Sequence, residues 1–506
     1  MKTTSKKLIY CALILLGFSL SSCKKFLEED PKSFLAPTNY YTTPQDAMAA
    51  LVGAYDALGN GSNTYTARPM AYLTWFCADE ALPPILASQK QLDNFTFGAD
   101  HPDIGNLWNQ IYDAIGRANI VLEKVPPISM DEGAKAQILA EARFLRGYHY
   151  FNLVRLWGKV PLVTKPITVI DDALIAQSSL AEVYSLIISD LESAAAVLLN
   201  TKENGRATKG AALGILSKVY LTRASSEAAQ ADDYRKCADL AKQVIDLGPY
   251  HLMTDYQKAI GGEDEFNAES IFEWQGDRVL VAVGEHSIYG QFTLPRDIIG
   301  LVPEAGQTGE SNIASEIGFF NKYNDLDYRK ESTFITQGTN RQNTVVTWQQ
   351  FTYPYPAPAW KFVNKNATTR NAYAFNANIV ILRLADVYLM RAEALNEVDG
   401  PTADAYEMIN AIRGRARARN GVNPSTFPAD LAGLSAAQFR DAVIEERAIE
   451  LGFEGQRWFD LVRTKRFVST MKAAHPEYPV EEKHNLFPIP ANEMRLNTKL
   501  TPNPGW

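Results

Sequence analysis

The sequence predicts a mainly α-helical protein, a scaffold of helix pairs that carries a loop-rich, aromatic-rich insert. Three observations lead there. Apolar residues recur at helical spacing in two helix–turn–helix segments, one opening near Ala212 and one near Ile381. Helix start and stop signals bracket these and other segments: Thr43-Pro44 as a start, Gly248-Pro249 and Gly400-Pro401 as stops. Between about 250 and 378 the helical period fades, and Gly, Pro, Asn and aromatic residues accumulate.

The chain opens on a lysine-bearing segment, Lys2, Lys6 and Lys7, followed by 13 mostly apolar residues from Leu8 to Leu20 and then Ser21-Ser22-Cys23. An apolar run of that length falls short of the ~20 residues a spanning helix needs. It suits a signal peptide over 1–22 that is cut before Cys23, leaving lipid on that thiol. The alternative, an ordinary cysteine beside a different cleavage site, fits the spacing less well. Residues 23–42 then read as a charged, turn-rich tether, and 43–506 as one helical domain. Removing 1–22 leaves 484 of 506 residues, enough for an elongated helical array or for two cores.

Thr43 reads as an N-cap with Pro44 in the first turn of a helix to about Leu58. Further helices are expected at about 104–124 and 131–156. Ala212, Ile215, Leu216, Val219 and Tyr220 share one helical face, and Ala238, Ala241 and Ile245 share the next. Ile381, Leu384, Ala385, Tyr388 and Leu389 repeat the design, followed by Ala405, Ile409, Ile412 and Ala416. Small residues sit where backbones must approach. Both segments resemble tetratricopeptide units, a plain helical hairpin being the simpler alternative.

The insert contains runs such as Tyr353-Pro354-Tyr355-Pro356-Ala357-Pro358-Ala359-Trp360. Long irregular stretches in a folded protein are uncommon unless they carry function, so a ligand is sought there. Flat rings stack on the apolar C–H faces of sugars, and Phe, Trp and Tyr make up 11% of the chain. Trp108, Trp157 and Trp458 fall in helical motifs and are expected in the core. Trp75, Trp274, Tyr289 and Trp348 lie outside the clear helices. Arg68, Asp79 and Asn94 belong to an early segment that could converge with them.

Other chemistries find little support. A formal charge of −8 argues against a nucleic-acid surface. Six scattered histidines form no HExxH motif or Cys/His group, and there is no GxSxG elbow or phosphate loop, so no metal and no cofactor is expected. Asp325 and Asp327 lack a calcium-loop frame and read as a solvated turn. With Cys11 removed and Cys23 lipidated, only Cys77 and Cys237 could pair, and two buried thiols are the favoured reading. Near the C-terminus, Arg447/Glu450, Glu454/Arg457 and Asp460/Arg463 stand three residues apart, which reads as ion pairing within the scaffold.

Several stretches together resemble the SusD/RagB family. They are Phe26-Leu27-Glu28-Glu29-Asp30-Pro31, Ala140-Glu141-Ala142-Arg143-Phe144-Leu145-Arg146-Gly147-Tyr148 leading to Leu156-Trp157-Gly158-Lys159-Val160-Pro161-Leu162, Arg383-Leu384-Ala385-Asp386-Val387-Tyr388 and Glu446–Arg463. Phe487-Pro488-Ile489-Pro490 and the last seven residues resemble the family's closing motif, with Pro502 where Gln is usual and Trp506 where Tyr is usual. The resemblance implies a non-catalytic outer-membrane lipoprotein anchored through Cys23. It implies a nutrient oligomer as ligand, an oligosaccharide or polysaccharide first, and a SusC-like TonB-dependent transporter as partner. It also implies ligand contacts from an early loop and the central irregular stretch, for which Arg68, Trp75, Asp79, Asn94, Trp274, Tyr289 and Trp348 are the candidates. Two rivals stay open: a glycoside hydrolase pairing Asp79 or Glu80 with an acid near 263–277, and a peptide-binding helical adaptor.

Overall fold

Seven of the longer helices begin where the sequence supplies side-chain caps. In a computed structural model, α1 (Pro44–Asp56) opens on a reciprocal cap: the Thr43 hydroxyl accepts from the Asp46 amide at 3.2 Å, and the Asp46 carboxylate accepts from the Thr43 amide at 2.8 Å. The structure describes residues 41–506 except 60–64, 67, 202–204, 261–263, 276–288, 302–308, 364–377, 420–421 and 423–424. Cys23, the signal segment and the tether lie outside the described residues.

After α1 come α2 (Arg68–Phe76), α3 (Pro102–Lys124), α4 (Glu132–Trp157), α5 (Leu180–Val197), α6 (Lys209–Arg223) and α7 (Asp233–Asp246). Then α8 (Leu384–Asp399), α9 (Ala403–Ala416), α10 (Ala436–Glu450), α11 (Arg457–Arg463) and α12 (Phe467–Ala474) complete the scaffold. The protein is mainly α, as the periodicity predicts. Gly158 ends α4 and Gly400 ends α8, with φ of 72° and 80°, a conformation that side chains with a Cβ resist. From α3 to α7 each helix packs on the next, and α8 continues the stack by packing on α7 before α9 and α10 join it. Each unit therefore buries its apolar face against a neighbour, as in a helical-repeat array.

The segment between α7 and α8 is not wholly irregular. β2 (Ser270–Trp274) pairs antiparallel with β7 (Ile379–Arg383), so the insert leaves and rejoins the scaffold on one two-stranded ribbon. Inside it, β3 (Ile298–Ile299), β5 (Gln337–Asn340) and β6 (Val345–Thr347) form a small antiparallel sheet. β4 (Ala314–Ser315) pairs back to β1 (Ala81–Leu82), near the end of α2. Leu294, Ile298, Ile335, Val346 and Phe351 give the insert a small apolar core of its own, apart from the main one.

Trp108, Trp157 and Trp458 are in the main core, as expected. Cys77 and Cys237 are buried and free, and burial raises both thiols, Cys237 to about 12. The charges near the C-terminus are buried pairs, but mostly not the local ones the spacing suggests. Only Asp460 and Arg463 pair within one turn, at 2.8 Å. Arg447 instead reaches Asp386 and Asp460, Arg457 reaches Asp79, and Glu450 holds Arg329, Arg383 and Arg415 from three other elements. Asp327 is likewise no solvated residue: it is buried against Arg329 at 2.7 Å, whereas Asp325 is exposed and paired with Lys330.

Candidate functional site

A mainly apolar, partly open cavity lies where the insert returns to the scaffold; about 970 Å³ of non-atom space, open solvent included, falls within its walls. α4 supplies Tyr148, Phe151 and Arg155 to its wall, spaced so that they share one helical face. Lys218 comes from α6 and Trp75 from α2. β7 supplies Ile379, Val380, Ile381 and Arg383 to the cavity, while Leu382 packs against Gly214, where an added Cβ would stand 2.5 Å from its methyl. The turn before α11 closes the wall with Phe453 and Glu454.

Aromatic rings dominate one side. Trp75 and Tyr289 lie 4.8 Å apart between centroids, and Phe362 is 5.5 Å from the first and 5.3 Å from the second. The Tyr289 hydroxyl donates to the Thr66 carbonyl at 2.5 Å. The Trp75 indole N–H, in a side chain only 1% exposed, has no acceptor.

Lys218, Lys361, Arg383 and Arg155 also line the cavity. Lys218 is satisfied by Asp386 at 2.6 Å and Gln456 at 3.2 Å. Arg383 is satisfied by Glu269, Glu450 and Glu454, and Lys361 by Glu454 at 2.8 Å. Arg155 differs. Its guanidinium is sandwiched between Phe151, 4.2 Å from the ring centroid, and Phe459, at 3.8 Å. It donates through one nitrogen to Asn152, and its buried Nε has no partner. The single carboxylate among the described lining residues is Glu454; burial works to raise its pKa, but Arg383 and Lys361 prevail and hold it below the usual range.

Of the residues proposed from sequence, the cavity gathers Trp75 and Tyr289. Arg68 packs over Phe292 at 4.8 Å. Asp79 is gripped by Arg457 through two contacts of 2.7 and 2.8 Å. Asn94 holds its own turn by accepting from Thr96. Trp274 is buried and donates to the Gly59 carbonyl at 3.2 Å, and Trp348 packs edge-on against Phe320 beside the insert's own core. Arg155, Phe151 and Phe362 went unrecognised in the sequence. An arginine between Val154 and Leu156 in a long helix carries no signal that its charge will lack a partner.

Among the described residues no group of three His, Cys, Asp or Glu is placed to hold a metal ion. No helix among them is long and apolar enough to cross a membrane.

A SusD family model matches residues 253–506, and a second model, described as starch-binding and associating with the outer membrane, matches residues 25–221. The chain belongs to the SusD family. A SusD-like protein of Formosa agariphila is 28% identical over 97% of this chain and 98% of its own length. Among solved SusD structures, a homologue from Bacteroides thetaiotaomicron superposes with a TM-score of 0.80 at 26% identity, covering 92% of this chain and 98% of the other. A laminarin-binding SusD-like protein does so with a TM-score of 0.74 at 26% identity, over 92% and 100%.

Proposed function

We propose that this SusD-family protein captures an oligosaccharide or polysaccharide at the outer surface of the cell and hands it, chemically unaltered, to a SusC-like TonB-dependent transporter. The observation that carries this reading is its end-to-end similarity to SusD-like proteins, one of them laminarin-binding. The cavity is compatible with it: aromatic rings and polar side chains line it together, the mixture that saccharide sites need. Lipid on Cys23 would hold the body at the membrane beside its transporter.

The hydrolase rival needs two carboxyl groups across a cleft, one acid and one base or nucleophile. Asp79 is occupied by Arg457, Glu269 by Arg383 and Arg415, and Glu273 accepts from the Phe266 amide and the Asn378 side chain. Those acids serve as anchors for their partners. The test is calorimetric titration of the full-length chain in detergent against neutral and acidic oligosaccharides and against peptides, each mixture then assayed for cleavage. Saturable sugar binding with intact ligand is expected. Shortened sugars would favour the hydrolase, and binding to peptides alone would favour the adaptor.

A further inference from the structure

Arg155 is a cation in a wall where every other cation is answered. Lys218, Lys361 and Arg383 each meet a carboxylate within 2.8 Å, whereas Arg155 meets none. Asp386, whose charge reaches Arg155, is already held by Lys218 at 2.6 Å and Arg447 at 2.8 Å. Arg155 is part-buried, so an anion in the cavity would take the place of water beside its guanidinium. Burial lowers its pKa to about 10, which leaves it charged at neutral pH. Its surroundings also supply geometry. Phe151 and Phe459 hold the guanidinium between their rings, and the side chain so held lines the cavity. Trp75 lines the same cavity, but its N–H, although without an acceptor, has no accessible surface and is not offered to a ligand.

A forked cation that lines the cavity and meets no carboxylate of the chain is matched to a planar two-oxygen acceptor, which describes a carboxylate site. We infer that this cavity takes the carboxylate of an acidic sugar, a uronate unit of an anionic oligosaccharide, with Arg155 as its ion partner and Ile379, Ile381 and Phe362 against its apolar side. The inference rests on the saccharide-binding reading above and narrows it from neutral to acidic glycans.

The test titrates the full-length chain in detergent with a galacturonate oligomer, a neutral galactose oligomer of equal length, and benzoate as a carboxylate without a sugar. The acidic oligomer should bind at least about tenfold more tightly than the neutral one. Arg155→Gln should weaken that binding by about 10- to 100-fold, while Arg155→Lys keeps the charge without the fork and falls between. Circular dichroism of each variant reports folding, and Arg155→Lys, which keeps the cation, tests the site if Arg155→Gln does not fold. Equal binding of acidic and neutral oligomers, unchanged in Arg155→Gln, would overturn the carboxylate site and leave saccharide capture standing. Benzoate binding with neither sugar bound would overturn the saccharide reading, and the uronate assignment with it.

Discussion

The Glu80 carboxyl group sits fully buried beside Asp79 and accepts one hydrogen bond, from the Phe453 amide at 2.8 Å, while its other oxygen has no partner. Loss of water pushes its pKa up to about 8, with the Asp79 charge adding to the effect and Arg457 opposing it. Between its ordinary value of 4.5 and about 8 the folded protein holds a proton that the unfolded chain releases, so this group makes folding less favourable as pH rises across that window. Asp93 and Glu316, both raised by burial to about 7, act in the same direction. Glu80→Gln keeps an acceptor for the Phe453 amide and cannot ionise. It is expected to match the parent near pH 5 and to exceed its stability above pH 8 by on the order of a few kcal/mol, read from urea melts at the two pH values. A parent that outlasts the variant at high pH would show the carboxylate to be better accommodated than its surroundings suggest. The adjacent acids Asp79 and Glu80 look alike in sequence. Only the arrival of Arg457, 378 residues away, separates an ion-paired group from a neutral one.

Helix α10 shows how an element is held by charge. Its inward face carries Glu446, Arg447 and Glu450, each buried and each paired to a different part of the chain. Replacing Glu450 by Ala strips a carboxylate from Arg329, Arg383 and Arg415 at once, and breaking such buried pairs costs about 3–5 kcal/mol. The exposed pair Arg235–Asp399, 44% accessible on both sides, is the control: Arg235→Ala is expected to cost no more than about 1 kcal/mol in the same unfolding measurement. Similar losses in the two variants would mean that the buried network is no more than a set of surface pairs moved inward. Where an element has two faces, its sequence announces it; α1, α3, α4 and the pairs α6/α7 and α8/α9 were legible from caps and period. α2 was not, because seven of its nine residues are buried and no polar face is left to mark a period. α5 also escaped, although Ser179 and Glu182 form a reciprocal cap ahead of its apolar run, the signal that would have found it.

For the molecule as a whole, the motifs that betrayed the family are those that meet in space. The Leu156 carbonyl accepts from the Phe487 amide at 2.9 Å, the Trp157 indole donates to the Pro488 carbonyl at 3.0 Å, and the Asn503 side chain donates to the carbonyls of Trp157 and Phe487. Trp506 stacks on Phe97 at 5.3 Å and donates to the carbonyls of Lys483 and Leu486. Residues that tie distant parts of a scaffold together leave a pattern in sequence, whereas a cavity built from ordinary residues on many separate elements does not, which is why the family was readable and Arg155 was not. At this scale too belongs the anchor: Cys23→Ala is expected to move the protein out of the membrane fraction and abolish lipid labelling, and unchanged fractionation would remove Cys23 from that role. The stacking of α8 on α7 has a consequence in time. The face of α7 that carries Cys237 and Ala238 is covered by Met390 and Arg391, so a chain arriving N-terminus first leaves that face in water until nearly 400 residues are made. The first seven helices thus wait as an unfinished column, and the second half of the chain arrives as its capstone.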